Sequence, residues 1–446
     1  MLKPRRADVV ALLRLAIPVV VVQVGIMFMG TVDTLMVGRL SPTALAAVAV
    51  GNLYSVIGIF FGQGVLLALD PLINQAVGAG DRHTVVRAFQ RALLLSVMLA
   101  VPITLYHLLA GPVLTALRQP ADVIPLAALY DRWLVPSVLP FLAFGVLRGT
   151  MQAFHRLRPV VITIIVANLV NALLNWVFIY GHLGAPQLGV PGSALATTTS
   201  RWLMVLMLLW LARDEFRPLL RPWTDEAHDR AALVRMLRIG VPIALQYELE
   251  IACFGGVAFL AGAMGTVQVA SHQIAINLAA LTYMVPLGVS AAATVLVGSA
   301  VGAGDPDEVR RRASTSLLVG AGFMSLMAVM FLTVPGLLAG LYTPNVAVLT
   351  LAGTLIPLAG VFQVFDGLQV VAIGVLRGLA DTRTPFIISL FGYWIIGMPV
   401  GVVLAYPLGH GVAGLWWGLV VGLGAVAVVL VIRVRRALRH PEQWTV

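Results

Sequence analysis

Charge is scarce in this sequence, and so is cysteine. Of 446 residues, 11% are Asp, Glu, Lys or Arg, against about 25% in an average soluble domain. The single cysteine, Cys253, has no second thiol to meet, which excludes an internal disulfide or a cysteine metal site. Long polar segments are missing too: the longest loop is 213–235, and its arginines are mixed with acids. There is thus no room for a soluble nucleotide-hydrolysing domain, nor for a basic domain that would hold nucleic acid. Signatures of catalysis are equally absent. The stretch GQGVLLALD lies in an apolar run and lacks the lysine of a phosphate loop. His272 has no His or Cys at ligand spacing, and no Ser–His–Asp or H-E-x-x-H arrangement stands out. These absences predict a protein that is not an enzyme and carries no cofactor or bound metal.

What is abundant is apolar surface. The chain is 60% hydrophobic with mean hydropathy +0.96, and apolar runs of about 20 residues, the length that crosses a bilayer, recur throughout. They predict an all-α membrane protein with twelve spans, at 12–38, 44–76, 90–111, 121–147, 158–181, 190–212, 236–262, 267–300, 314–340, 346–376, 384–406 and 411–433. With both termini cytoplasmic, only Arg39, Arg118, Arg132 and Arg201 of the 29 Lys and Arg fall outside cytoplasmic segments. That asymmetry satisfies the positive-inside rule, so the net charge of +10 reads as topology in a cytoplasmic (inner) membrane. The start, MLKPRRADVVALLRLAIP, has the basic residues of a signal peptide, but its apolar stretch runs on into a full span without a small-residue cleavage site. It reads as a retained first helix.

The chain says much of this twice. VGAGD occurs at 77–81 and 301–305, and the same offset of 224 aligns Leu13-Arg14 with Leu237-Arg238, Pro18 with Pro242, and Gly64 with Gly288. GVLRG recurs at 145–149 and 374–378, an offset of 229. This predicts an N-terminal six-helix lobe over 1–212, a cytoplasmic linker at 213–235 and a C-terminal six-helix lobe over 236–446. An even number of spans makes the lobes parallel repeats, the plan of transporters whose sites lie between halves that move against each other. One such chain suffices as a working monomer in membrane lipid.

The intramembrane charges do not repeat. Asp33 aligns with Val257, Glu250 with Ile26, and Asp366 with Ser137. A carboxylate in hydrocarbon costs roughly 2.5–3.5 kcal/mol on insertion scales and is functional by default. Glu250 and Asp366 lie at similar depth in spans 7 and 10, where two carboxylates with nearby oxygens either hold Na⁺ or share protons. Phe362, Gln363 and Gln369 stand on the Asp366 side of their helix. Asn168, Asn171 and Asn175 form a polar stripe on span 5. Glu248 faces about 200° away from Glu250. Asp70, Asp131, Arg201 and Glu248 read as structural polar residues, Asp131 pairing locally with Arg132, and Arg201 with an acid of its own half such as Asp70.

Together, VDTLMVGRLS, ALDPLINQAVGAGD, ASHQIAIN and FDGLQVVAIGVLRG resemble the MATE (multidrug and toxic compound extrusion) transporters over essentially the whole chain. Glu250 and FQVFDGLQ resemble the NorM-like branch. The resemblance implies an antiporter that exports small organic cations and related toxic compounds in exchange for H⁺ or Na⁺. It implies ion coupling at Asp33, Glu250 and Asp366, and a substrate cavity using Asp33, Asn171, Asn175, Phe362, Gln363 and Gln369. One departure is visible: a tyrosine of NorM-type Na⁺ sites is Phe362 here, which removes an oxygen ligand. The nearest alternative is a flippase for lipid-linked oligosaccharides from the same superfamily, whose cavity is lined by arginines rather than acids.

Overall fold

The computed structural model describes residues 5–444. Among the described residues twelve helices are long and apolar enough to cross a membrane: α1 Arg6–Val37, α2 Pro42–Gly78, α3 Arg82–Leu108, α4 Ile124–Ala153, α5 Arg158–Tyr180, α6 Val190–Leu211, α7 Arg230–Met264, α8 Thr266–Gly302, α9 Pro306–Thr333, α10 Val346–Gly378, α11 Arg383–Ala405 and α12 Gly411–Ala437. The described residues contain no strand. The element count matches the sequence expectation, while several ends move for local reasons. Helices α3 and α9 begin at 82 and 306 rather than 90 and 314, because the repeated VGAGD is a turn followed by a cap. Gly80 and Gly304 take φ of +70° and +69°, a region glycine enters without steric cost. Asp81 Oδ1 then accepts from the Thr84 amide at 3.0 Å, and Asp305 Oδ1 from the Glu308 amide at 2.8 Å. Each satisfies an orphan donor of the following helix. Helix α9 stops at Thr333, and Pro335 opens the separate short helix Pro335–Gly340.

Two of the spans are irregular. Helix α2 breaks into Pro42–Leu66 and Leu69–Gly78, just before the Asp70-Pro71 pair whose proline donates no amide. Helix α11 contains a π-helical stretch, Phe391–Gly397, whose wider turn shifts the phase of the side chains after it.

By packing the chain forms two compact units. One contains the residues up to Val20, then Asn74–Gly80 and everything from Leu245; the other contains Val21–Ile73 and Asp81–Ala244. The boundaries therefore differ from the sequence halves, and glycines show why. In the first unit a Cβ on Gly78 would lie 2.0 Å from the Ser299 carbonyl oxygen, and one on Gly302 1.9 Å from that of Gln75. Those pairs are exact repeat partners at offset 224, so the ends of α2 and α8 cross each other backbone to backbone. A Cβ on Gly288 of α8 would meet Val20 of α1 at 2.4 Å, and in the other unit a Cβ on Gly64 of α2 would meet Ala244 of α7 at 2.6 Å. The first parts of α1 and α7 thus each pack on a helix from the opposite repeat.

The 213–235 segment is docked rather than loose. Buried Gln90 of α3 donates its amide to the carbonyls of Leu219 and Pro222, both at 2.9 Å, and accepts from the Thr224 amide and hydroxyl at 3.0 and 2.7 Å. Arg87 pairs with Glu226 at 2.8 Å, and that hydrogen bond holds the Glu226 carboxyl below its usual range.

Candidate functional site

In the unit that carries Val21–Ile73 and Asp81–Ala244, the site is built on α1, α4, α5 and α6. Asp33 of α1 is 4% exposed, so its oxygens need partners. Asn175 Nδ2 donates to Oδ1 at 2.6 Å and Thr197 Oγ1 to Oδ2 at 2.5 Å. Asn175 Nδ2 also reaches the Asn171 carbonyl at 3.0 Å and Asn171 Oδ1 at 3.2 Å. The i,i+4 spacing of Asn171 and Asn175 puts both on one stripe of α5, as the sequence suggests. Asn168 does not join them; its amide folds back onto the Ile164 carbonyl. Thr197 and Tyr130, the latter within electrostatic reach of Asp33, were not legible beforehand, since a hydroxyl in ALATTTS and an aromatic in an apolar helix carry no signal.

Two expected pairings are corrected. Asp131 does not pair with Arg132: its Oδ1 lies 2.8 Å from His107 Nδ1 of α3, with both side chains fully buried. Arg201 has no acid within ion-pair distance among the described residues. Its guanidinium donates to Ser137 Oγ at 2.8 Å and sits 4.5 Å over the Phe141 ring. Asp70 lies elsewhere. It opens the second segment of α2 and lines a small cavity with Gln63, Arg148 and Gln152, its Oδ1 3.7 Å from where a Gly149 Cβ would stand.

The unit that carries Leu245 onward brings Glu250 of α7 and Asp366 of α10 within electrostatic reach of each other. Tyr283 of α8 and Tyr393 of α11 lie within reach of both; neither was anticipated, and Tyr393 lies in the π stretch. Gln369 Nε2 donates to the Tyr393 hydroxyl, and Thr282 Oγ1 donates to Gln363 Oε1. Several buried polar atoms have no partner: Asp366 Oδ1, Gln369 Oε1, Gln363 Nε2 and Glu248 Oε1. Oxygens left in this state are the donor set a hard cation takes. Phe362 is enclosed, 1% exposed, with ring centroids 5.8 Å from both Phe254 and Trp416. It is an aromatic of the hydrophobic core. His272 is likewise buried, 5.7 Å from Trp416. Among the described residues no group of three or more His, Cys, Asp and Glu gathers as metal ligands.

The comparisons with known proteins fall on this frame. The family model described as MatE matches residues 18–177 and again 242–403, and the two matches start 224 residues apart, the offset of the internal repeat. The chain belongs to the MatE family. It is 36% identical over 441 residues to the multidrug resistance protein MdtK of Edwardsiella ictaluri, covering 97% of this chain and 96% of that one. It is 39% identical over 444 residues to the probable multidrug resistance protein NorM of Mesorhizobium japonicum, covering 96% and 94%. The bent form of the Vibrio cholerae MATE transporter VcmN matches with TM-score 0.88 over 99% of both chains, at 19% identity, a likeness of fold. This MatE chain is a NorM-like membrane transporter and not an enzyme.

Proposed function

We propose that the chain is a multidrug efflux antiporter of the cytoplasmic membrane, with both termini cytoplasmic, that exports small organic cations in exchange for H⁺ or Na⁺ by alternating access. The observation that carries this reading is the Asp33 carboxylate, buried yet held by Asn175 and Thr197. Such a group can trade a proton or a cation for a substrate ammonium without unfolding its surroundings. Relatives named for multidrug resistance support the substrate class. One charge moving inward through 100 mV supplies about 2.3 kcal/mol, nearly two decades of concentration ratio.

The ion has support on both sides. Unpartnered oxygens on Asp366 and Gln369 suit Na⁺, while Phe362, without a hydroxyl and sealed among aromatics, takes one ligand away and suits H⁺. The acids at both centres argue against a flippase of anionic lipid-linked sugars. The test is ethidium efflux from liposomes holding the purified protein, with pH and Na⁺ gradients imposed separately. Efflux driven by ΔpH alone assigns H⁺; efflux driven by ΔNa⁺ alone assigns Na⁺. If neither gradient drives export of ethidium or any other organic cation, the reading fails.

A further inference from the structure

The mechanism above leaves Arg201 of α6 unused. Arg201 stands four residues after Thr197, on the same stripe of α6, so a guanidinium lies one helical turn from the hydroxyl that binds Asp33. Arg201 and Asp33 are within electrostatic reach of each other, yet they do not form an ion pair. Each Asp33 oxygen accepts one hydrogen bond, from Asn175 or from Thr197, and keeps a second lone pair for an ammonium.

The guanidinium is instead fixed from behind. Ser137 and Phe141, one turn apart on α4, supply an acceptor at 2.8 Å and a ring face at 4.5 Å. Among the described residues the Ser137 bond is the one hydrogen bond the side chain makes, out of five N–H donors that an arginine carries. The residue is only partly buried. Its remaining donors are therefore held in place and unspent, in a fork whose geometry matches a carboxylate.

The internal repeat sharpens the point. At offset 229 Ser137 corresponds to Asp366. Where the later half places an acid, the earlier half places a serine that anchors a cation. Arg201 itself corresponds to Leu430 at that offset, so the cation belongs to the earlier half alone.

We propose that Arg201 is a specificity-determining residue of the Asp33 centre, receiving the carboxylate of zwitterionic substrates whose ammonium faces Asp33. The proposal rests on the export reading and narrows its substrate class: compounds carrying both signs are held at two points, and plain cations at one. A simpler role, with Arg201 tying α6 to α4 through Ser137, would leave all substrates affected alike.

The experiment uses a matched dye pair, zwitterionic rhodamine 110 and its cationic methyl ester rhodamine 123, with purified full-length protein in liposomes. For R201Q, rhodamine 110 export falls at least tenfold, mainly through a raised KM, while rhodamine 123 export changes less than twofold. R201K, which keeps the charge but not the planar fork, gives a smaller loss confined to rhodamine 110. Equal losses for both dyes, or a wild type that exports rhodamine 123 but neither exports nor binds rhodamine 110, overturn the assignment. If the wild type exports neither dye, the export reading fails separately, and fluorescence anisotropy in detergent decides Arg201. There, R201Q must weaken rhodamine 110 binding selectively. If R201Q does not insert, the R201K comparison decides on the same criterion.

Discussion

The Asp33 and Asp366 carboxylates are held differently. At Asp33 both carboxylate oxygens accept hydrogen bonds; Asp131 in the same unit meets a buried imidazole through Oδ1 alone, and its Oδ2 has no partner. In the other unit Asp366 keeps an unpartnered buried oxygen, and the amides beside it each leave one polar atom unspent. Gene duplication gave both halves the same helices, capped turns and glycine crossings, but not the same polar interior. A centre that satisfies its carboxylate internally holds it ready at low cost. One that leaves oxygens unspent stores a demand for something from outside, a proton or a cation. The difference implies that replacing an acid strands its neighbours in one unit and relieves them in the other.

The largest effect expected from this contrast is on stability. Replacing Asp131 by leucine removes one member of a fully buried pair and leaves His107 without a partner. Leaving a buried polar group without its hydrogen-bond partner costs up to about 3 kcal/mol, so D131L should lower Tm of the detergent-purified protein by several degrees, and the double variant H107L/D131L should recover most of the loss. Failure of the double variant to recover would mean that the pair is not what holds α3 to α4 there.

Next comes transport. D33N keeps one acceptor but loses the ionisable group that trades a proton or a cation for substrate. Gradient-driven ethidium efflux should fall roughly 10- to 100-fold, with the protein still folded. Efflux at the wild-type rate would remove Asp33 from the coupling step. D366N sharpens the comparison from the other side: it should likewise impair efflux, yet leave Tm unchanged or raised, because it neutralises a carboxylate that lacks a full set of partners. A fall in Tm comparable to that of D131L would erase the distinction between the two centres.

How much of this was legible beforehand follows from distance along the chain. Twelve apolar runs, an offset of 224 and the i,i+4 asparagines are local or periodic signals, and they located the helices and half of the Asp33 centre. The partner of Asp131 was not legible, because His107 lies on another helix beyond a short helical connection. Arg201 misled because an intramembrane cation predicts an acid, whereas a ring face and a serine suffice to hold it. Tyr393 depends on a π-helical turn that no hydrophobic period announces. The packing boundary was hidden for a related reason: a glycine shows in the sequence, but the backbone it admits belongs to a distant helix.

The smallest effect concerns the segment that joins the repeats. Glu226 is exposed and makes its ion pair with Arg87 near the start of α3, where surface pairs contribute little. Its carboxyl is held below the usual range, first by the Arg87 hydrogen bond. A carboxyl lowered in the folded state contributes stability above its ordinary value near 4.5, and that contribution disappears as pH falls through the lowered value. E226Q should therefore flatten a shallow acid limb in the pH dependence of Tm while leaving Tm at neutral pH almost unchanged. The docking itself rests on Gln90, a buried amide with four hydrogen bonds. Q90L should accordingly loosen the 213–229 stretch to protease far more than E226Q does. Equal protease sensitivity in the two variants would move the anchor from the buried amide to the exposed ion pair.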